Sequence, residues 1–343
     1  MPRPDGPPGP AAPTSVKAPR ETTAPVSPAS PSAAGLPRPR RRRRADVVAI
    51  TLFVLPALVL FLLLVVTPVV LAMYHSLFKW NGFPGAPRTF IGLDNFVRML
   101  GDEVFRGDLK RGAILIVLSL LLQLPAALGL AMLLNQPLRG RSVYRVLFFA
   151  PYVLSEVTTA VLFRIVFSSN RGLATQVFGW VGLGDLGATW ISDPDTVLYS
   201  VFLVISWKYF GFHMMLYLAG RQNIPKELTE AATTDGATTW QVFRHITLPL
   251  LAPTIRVSVF LSVIGAIQLF DMVWVLTKGG PVHGSEVMAV TMYERGFIRY
   301  EVGYASAISI GMFLISLAFG LLYQRFVLRR DLEGAMTVMG NRR

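Results

Sequence analysis

Residues 224–249 read IPKELTEAATTDGATTWQVFRHITLP and separate two long apolar stretches of the chain. The segment is longer than a simple turn between two helices needs. Pro225 suits the first turn of a helix, where the N–H that proline lacks would have no partner in any case. We therefore predict a short helix over Lys226–Thr234.

A bend and a second short helix are predicted in the rest of this segment. Asp235-Gly236 is a turn signal, because glycine adopts a positive φ without a steric cost. Thr238 or Thr239 can cap a helix from Trp240 to His245, and Pro249 is expected to close that helix. Taken by itself, the segment is a structured docking surface.

Six apolar blocks of the chain are long enough to cross a bilayer, which requires about 20 residues. They cover Val47–Met73, Ala113–Leu134, Val146–Phe167, Thr196–Gly220, Pro253–Thr277 and Gly303–Phe326. Prolines within these blocks are tolerated where neighbouring helices pair with the freed carbonyl groups. The sequence therefore predicts an all-α integral membrane protein with six transmembrane helices.

The composition argues against a water-soluble enzyme. Of the 343 residues, 52% are hydrophobic and only 15% are charged, whereas soluble domains carry about 25% charged residues. The chain has no Cys, which excludes disulfides, thiolate chemistry and Cys-ligated metal. Its 4 His are scattered along the sequence. We expect no catalytic residue, no metal site and no cofactor bound by this chain.

The formal net charge of +13 would suggest a nucleic-acid partner in a soluble protein. Here the basic residues flank the apolar blocks, so they are interpreted as an orientation signal and no nucleic acid is expected. With the N-terminus inside, 21 Lys and Arg fall in cytoplasmic segments and 10 in outer segments. This bias predicts a multi-pass plasma-membrane protein with both termini in the cytoplasm.

Residues 1–45 differ in composition from the rest of the chain. They contain 12 of its 24 prolines and end in Arg40–Arg44, so they are predicted to be a disordered cytoplasmic tail. The arginines either set the topology or attract anionic lipid headgroups. The transmembrane domain is assigned to residues 46–328, with the loop at about 221–252, and residues 329–343 form a cytoplasmic C-terminal tail.

The loop carries a recognisable pattern. Glu230-Ala231-Ala232, three residues, Gly236, nine residues, Ile246, one residue and Leu248-Pro249 resemble the EAA loop of binding-protein-dependent ABC importer permeases. The resemblance covers about residues 47–328 and extends to the carbohydrate subgroup, with its maltose-type and glycerol-phosphate-type permeases. Its further pieces are Pro151, Trp190 with Asp193-Pro194, Trp207 with Gly211-Phe212, Ile224-Pro225, Asp235-Gly236-Ala237, Phe270-Asp271, Thr277–Pro281 and Gly303–Ala307.

One stretch departs from that pattern. A few residues after Gly279-Gly280-Pro281 the family usually has a Thr, whereas this chain continues as VHGSE over Val282–Glu286. The departure falls in the loop between the fifth and sixth blocks, on the side predicted to be extracytoplasmic.

The resemblance implies an importer subunit that works with several partners. A second, similar permease would form the other membrane half, two ATPase subunits would bind on the cytoplasmic side, and an extracytoplasmic solute-binding protein would deliver a sugar or oligosaccharide. This chain has no G-x-x-x-x-G-K-[S/T] phosphate loop. ATP and Mg²⁺ are therefore expected on the partner ATPases.

The resemblance also assigns the loop its role, which is to couple the permease to ATP hydrolysis. Gly236 would permit the sharp bend, and Glu230 would make a charge-assisted contact with the ATPase; a solvated helix face is the plainer interpretation of Glu230. The implied coupling residues are Glu230, Ala231, Ala232, Asp235, Gly236, Ile246, Leu248 and Pro249.

A substrate path is predicted among polar and aromatic residues of spans three to six. Charged groups at membrane depth usually face a cavity or a partner, and sugars are held by aromatic faces and polar side chains. The candidates are Glu156, Trp207, Lys208, Tyr209, Gln268, Phe270, Asp271 and Trp274. At about 15 and 18 Å from the inner face, Glu156 and Lys208 are predicted to form a structural ion pair; direct substrate contact is the alternative.

Several alternatives remain open. The stripe Gly303, Ala307 and Gly311 allows a helix to approach closely, either within the subunit or from a second one. The runner-up substrate is glycerol 3-phosphate or a related phosphodiester. An ion-coupled secondary transporter or channel would explain the spans and the charges at depth, but not the loop. A membrane scaffold without transport activity would not need polar groups at membrane depth.

Overall fold

The structure is a computed structural model and describes residues 40–168, 172–180 and 190–328. The predictions for residues 1–39 and for the C-terminal tail 329–343 lie outside the described residues. Met1–Leu58 and Val59–Arg343 are two separate units, and the side-chain contacts described below all belong to the second.

The arginine run stands at the end of the segment predicted to be disordered and at the start of the described residues. Arg40–Arg44 form the first turns of helix α1, which spans Arg40–Phe61. Arginine is a good helix former, and neither Gly nor Pro separates the run from the apolar residues that follow. The helix therefore extends back through the basic residues.

The described chain is mainly helical. After α1 come α2 (Thr67–His75), α3 (Asp94–Gly101), α4 (Glu103–Leu118), α5 (Leu124–Asn135), α6 (Arg141–Val153), α7 (Glu156–Val166), α8 (Leu173–Trp180), α9 (Val197–Gln222), α10 (Lys226–Thr234), α11 (Thr239–Val242), α12 (Leu248–Ile267), α13 (Asp271–Leu276), α14 (Met288–Tyr293) and α15 (Val302–Tyr323). A two-stranded antiparallel hairpin, β1 (Phe78–Lys79) and β2 (Thr89–Phe90), follows α2.

The predicted six-span architecture is confirmed, with one span bent. Five helical stretches in the described part are long and apolar enough to cross a membrane; they are Ile50–His75, Glu103–Asn135, Val197–Gln222, Thr239–Ile267 and Val302–Val327. The sixth is the pair α6 and α7, which meet at an angle of 99°.

Two of the predicted spans are interrupted. The third was expected to run straight through Val146–Phe167, but it turns at Leu154-Ser155 between α6 and α7. The fifth was expected to reach Thr277, but α12 ends at Ile267 and α13 begins at Asp271. The two segments beyond the breaks, α7 and α13, pack against each other. Both breaks thus lie at one place in the bundle.

Three prolines inside spans are accommodated by a single π-helical turn. The π segments Leu62–Val66, Ser119–Gln123 and Phe243–Thr247 are each followed, two residues on, by Pro68, Pro125 and Pro249 respectively. A proline ring clashes with the carbonyl four residues earlier, and the wider π turn moves that carbonyl. These helices therefore continue past their prolines.

The small-residue stripe packs within the subunit. A β-carbon on Gly303 would lie 2.0 Å from the carbonyl oxygen of Phe78 in β1. One on Gly311 would lie 3.1 Å from the end of the Met99 side chain in α3, and Ala307 is fully buried. The stripe thus allows α15 to contact the hairpin and α3 of its own chain.

Buried apolar side chains form three clusters along the second unit. One joins α4, α7, α9, α13 and α14, the second joins α5, α9 and α12, and the third joins α3, α4, α12, α14 and α15. Helix α9 contributes to the first two clusters. Its residues 198–204 pack with the helices next to the two breaks, and its residues 214–218 pack towards the loop at residues 223–238.

Candidate functional site

The break between α6 and α7 is held by a lysine from another span. Lys208 of α9 is only 3% exposed, and its Nζ donates to the carbonyl oxygen of Leu154 and lies 3.4 Å from that of Tyr152. The last carbonyls of a helix have no partner within it, and a cation there also suits the helix dipole. On the other side of the break, Ser155 caps α7 by accepting from the Thr158 amide.

The predicted ion pair between Glu156 and Lys208 is wrong. Glu156 lies in the first turn of α7 and accepts a hydrogen bond from the hydroxyl of Tyr209. The amine of Lys208 is used by the carbonyl groups at the end of α6. Similar depth along two helices brings two residues to one level, but it does not fix the direction of their side chains.

Both breaks contribute to the lining of a cavity of about 400 Å³. Five of the eight predicted path residues line it, namely Glu156, Tyr209, Gln268, Phe270 and Asp271. Glu156 and Asp271 each stand in the first turn of the segment after a break. The interruptions, which sequence reasoning missed, are therefore what brings these side chains to one cavity.

The other three candidates lie nearby but outside the lining. Lys208 is buried beside it, with Nζ 5.6 Å from the ring centre of Tyr209. Trp207 faces a separate apolar groove of about 770 Å³ and packs edge-on against Phe163. Trp274 stacks on Phe270, with ring centres 6.1 Å apart, and so supports the lining from behind.

Sequence reasoning missed a polar group on the second span. Ser119 donates to Gln123 at 2.6 Å and lies 2.8 Å from the hydroxyl of Ser262 in α12. All three line the cavity. Pro125 is the feature of the sequence that could have pointed to these residues. Ser119–Gln123 form the π turn that precedes this proline, and π turns occur frequently at functional sites.

Three further residues of the lining were also missed: Tyr152, Phe212 and His213. The rings of Tyr152 and Phe212 stack with centres 4.8 Å apart. His213 is buried, and its Nδ1 lies 2.7 Å from the hydroxyl of Ser258, which also accepts from Tyr217. This network ties α9 to α12 on the side of the cavity towards the 223–238 loop.

At that loop, the first short helix and its end follow the sequence prediction. Helix α10 spans Lys226–Thr234, and the chain leaves it through Gly236, whose φ is +87°. The Gly236 amide donates to Thr233 at 3.1 Å and the Ala237 amide to Ala232 at 2.9 Å. This pair of bonds is a Schellman motif, so the four-residue spacing from Ala232 to Gly236 has a structural cause.

The second short helix begins as predicted but does not end as predicted. Thr238 caps α11 in a reciprocal capping box with Gln241. We expected Pro249 to close this helix, but the Phe243–Thr247 π turn accommodates the proline, and the helical run Thr239–Ile267 is continuous into the fifth span. The loop is thus rigidly joined to a helix that lines the cavity.

The remaining coupling candidates line the surface of this segment. Glu230, Ala231 and Asp235 are exposed, Ile246 and Leu248 are half-buried, and Pro249 is exposed. Within the described residues, the carboxylate of Glu230 has no hydrogen-bond or ion-pair partner. Two large apolar side chains of the same segment are exposed, Leu228 at 46% and Trp240 at 63%.

At the opposite end of the bundle lies Val282–Glu286, the stretch that departs from the family pattern. Its last residue has a buried carboxylate. Glu286 is 3% exposed, whereas Val282 is 84% exposed. The Thr291 hydroxyl lies 2.6 Å from Glu286 and 2.5 Å from Asp108, and Arg111 bonds Asp108 at 2.7 Å. These contacts fasten the loop to α4 and α14.

Known proteins are similar to this chain over most of its length. Residues 123–331 match the family described as binding-protein-dependent transport system inner membrane component. The chain belongs to this family. It is 38% identical over 277 residues to the probable ABC transporter permease protein YurN of Bacillus subtilis, covering 80% of this chain and 94% of the relative.

Relatives with named cargoes are also similar. The lactose transport system permease protein LacF of Rhizobium radiobacter is 30% identical over 283 residues, which is 82% of this chain and 93% of that protein. Among solved structures, a chain of a bacterial alginate ABC transporter in complex with an alginate-bound periplasmic protein has a TM-score of 0.72 at 24% identity, covering 84% of this chain and 96% of its own.

The family decides between the classes of protein that the sequence left open. The chain is a permease subunit of an ABC transporter, an inner-membrane transport component and not an enzyme in its own right. Neither an ion-coupled secondary transporter nor a scaffold finds support among the relatives.

Proposed function

We propose that this permease forms part of the translocation path for a sugar or oligosaccharide in an ATP-driven importer. The observation that carries the proposal is the cavity at the two helix breaks, lined by aromatic, hydroxyl, amide and carboxylate side chains. Irregular backbone at membrane depth is tolerated where it lines a cavity, and interrupted helices form the substrate sites of many transporters.

The lining chemistry suits a saccharide. Tyr152, Tyr209, Phe212 and Phe270 offer ring faces to the apolar side of a sugar. Gln123, Gln268, Ser119 and Ser262 offer hydrogen-bond donors and acceptors. The names of relatives point the same way, since one is a probable permease for starch degradation products and another a lactose permease.

The loop at residues 223–238 is proposed to bind an ATPase subunit that carries ATP and Mg²⁺. The carboxylate of Glu230, which has no partner within the described residues, offers a charged contact. Leu228 and, at the start of the following helix, Trp240 are exposed and offer apolar contacts. The 29-residue helix Thr239–Ile267 would carry a movement of the loop to Ser262 and Gly265, which line the cavity. ATPase closure would thereby reshape the substrate site.

The same proposal includes the orientation of the chain in the membrane and its other partners. We propose that both termini are cytoplasmic, that a second permease covers part of the exposed apolar surface while lipid covers the rest, and that an extracytoplasmic binding protein delivers the substrate. A binding protein is supported by the periplasmic protein in the complex of the alginate transporter. ATP-dependent exchange between inward and outward states would complete the cycle.

Blocking the cavity tests this proposal. A β-carbon on Gly265 would meet nothing within 4 Å, so Gly265→Leu is expected to fold and to fill the cavity. Uptake of a labelled neutral oligosaccharide by the reconstituted importer should fall by about tenfold or more. Gly129 also has open space around it but does not line the cavity, so Gly129→Leu is the matched control. Equal uptake by both variants would contradict the proposal.

A further inference from the structure

The charges around the cavity are unevenly distributed. Its ionisable lining residues are the carboxyl groups of Glu156 and Asp271, the phenols of Tyr152 and Tyr209, and the imidazole of His213. None of its lining residues, all of which belong to the described part of the chain, is a lysine or an arginine. From the described part of this chain, a bound anion would therefore meet carboxylates and no lysine or arginine in direct contact.

Lys208 is a buried cation beside the cavity, but its amine is bonded to the main chain. Its amine donates to the carbonyl groups of Leu154 and Tyr152 and is almost fully buried. Its charge lies 5.6 Å from the ring centre of Tyr209 and 6.0 Å from that of Tyr152. The main chain of the α6–α7 break thus takes two of the three N–H donors of Lys208, and Lys208 is not among the residues that line the cavity.

The helix end that could attract an anion is already occupied. The N-terminus of α7 carries partial positive charge, yet its first turn contains Glu156, and the side chain of Ser155 already accepts the Thr158 amide. The carboxylate of Glu156 in turn accepts from Tyr209. An incoming carboxylate or phosphate would find this positive end neutralised by the chain itself.

Asp271 is a charged acceptor of the site with no partner in the described structure. Its side chain is exposed to the cavity and makes no hydrogen bond or ion pair within the described structure. The side chain of Gln268 is likewise exposed and without a hydrogen-bond partner in this part of the chain. An ionised carboxylate only accepts hydrogen bonds, so it favours hydroxyl and ammonium groups and disfavours another anion.

We propose that this cavity selects its saccharide by charge, admitting neutral and amino saccharides and rejecting those that carry carboxylate or phosphate, with Asp271 as the selecting residue. The inference rests on the proposed function, because it takes the cavity to be the substrate site.

Binding of three trisaccharides of matched size tests the inference. The probes are maltotriose, a glucosamine trimer and a galacturonate trimer, added to the importer complex in nanodiscs without its binding protein, whose own selectivity would otherwise intervene. Saturation-transfer NMR competition gives their relative affinities. We expect the galacturonate trimer to bind about tenfold more weakly than maltotriose, and the glucosamine trimer at least as well as maltotriose.

Two variants assign the effect to Asp271. Asp271→Asn should keep maltotriose affinity within about twofold while removing most of the difference between the amino and the acidic trimer. Asp195→Asn makes the same charge change at an exposed site outside the cavity and should leave the order of affinities unchanged.

The outcomes distinguish this inference from the proposed function. If maltotriose and the galacturonate trimer bind with equal affinity, charge selection is wrong, whereas the proposed sugar path stands. If the three trimers bind Asp271→Asn with the same order of affinities as the wild type, Asp271 is not the selecting residue. Failure of all three trimers to bind, in a complex that still hydrolyses ATP, overturns the proposed sugar path and this inference with it.

Discussion

The amine of Lys208 lies 3.4 Å from the carbonyl oxygen of Tyr152, and so it closes the end of a helix and does not pair with an acidic side chain. Carbonyl groups left free at a helix end are costly where no water reaches them. One lysine from α9 therefore stabilises the bend between α6 and α7, and the bend in turn places Glu156 at the cavity.

Lys208→Met should destabilise the permease. The variant leaves the carbonyls of Tyr152 and Leu154 without their donor, at a cost of about 1–3 kcal/mol. Glu156→Gln should fold normally, because an amide oxygen still accepts from Tyr209. The measurement is the thermal midpoint of the purified protein in detergent. Lys110→Met, at an exposed lysine, should leave the midpoint unchanged.

The double variant separates this arrangement from an ion pair. If Glu156 and Lys208 were paired, removing both charges would restore part of the stability lost with one. The structure predicts that Lys208→Met with Glu156→Gln is no more stable than Lys208→Met alone. Recovery in the double variant would show that the two side chains pair in the membrane.

Gly211→Ala should disrupt the contact between α6 and α9. A β-carbon on Gly211 would lie 1.9 Å from the carbonyl oxygen of Phe148, and backbone cannot move aside as a flexible side chain can. We expect a loss of about 1–3 kcal/mol or more from the forced separation of the helices. Gly129→Ala is the matched control, because that site has open space and alanine favours helix. Similar midpoints for both variants would contradict this packing.

The spans and the loop were predictable because their causes are local. A bilayer demands long apolar helices, and the end of α10 depends on Gly236 and on carbonyls within its own turn. The two breaks depend on distant groups. The carbonyl of Leu154 accepts from Lys208, which is 54 residues away. The hydropathy of residues 268–270 does not indicate that α12 ends at Ile267. The cavity could not be assembled from the sequence for this reason.

The pH dependence of stability should show a contribution from Asp102, between α3 and α4. Burial alone would raise the pKa of Asp102, but hydrogen bonds from Tyr304 and the Val104 amide and the charge of Arg295 outweigh it and hold the pKa below its usual range. A depressed carboxyl pKa stabilises the fold above the pKa of the unfolded chain, and the benefit is lost as pH falls through the folded value.

This contribution is measured by comparing Asp102→Asn with the wild type. The wild type should have the higher thermal midpoint at pH 7. The difference between the two midpoints should become smaller below about pH 4, because the carboxylate of Asp102 is then protonated. Asp94→Asn, at an exposed carboxylate in the first turn of α3, is the control. A gap between wild type and Asp102→Asn that stays constant down to pH 3 would mean that the charge of Asp102 does not contribute.

The bend after α10 gives a graded test of coupling. Gly236 has a φ of +87°, and a β-carbon added there would meet nothing within 4 Å, so any effect of substitution comes from the backbone. Valine in a left-handed conformation costs about 1–2 kcal/mol, whereas asparagine tolerates it better. Gly236→Val should therefore distort the Schellman motif, and Gly236→Asn should largely retain it, with the membrane spans inserted in both variants.

The consequence is measured in the reconstituted importer by pull-down of the ATPase subunits and by hydrolysis stimulated with loaded binding protein. Both should fall strongly for Gly236→Val and only slightly for Gly236→Asn. Glu230→Ala should reduce both mildly, because it removes one charged contact and leaves the bend intact. Full ATPase association and full stimulated hydrolysis in Gly236→Val would mean that the loop is an ordinary connection and that coupling reaches the cavity by another route than the helix Thr239–Ile267.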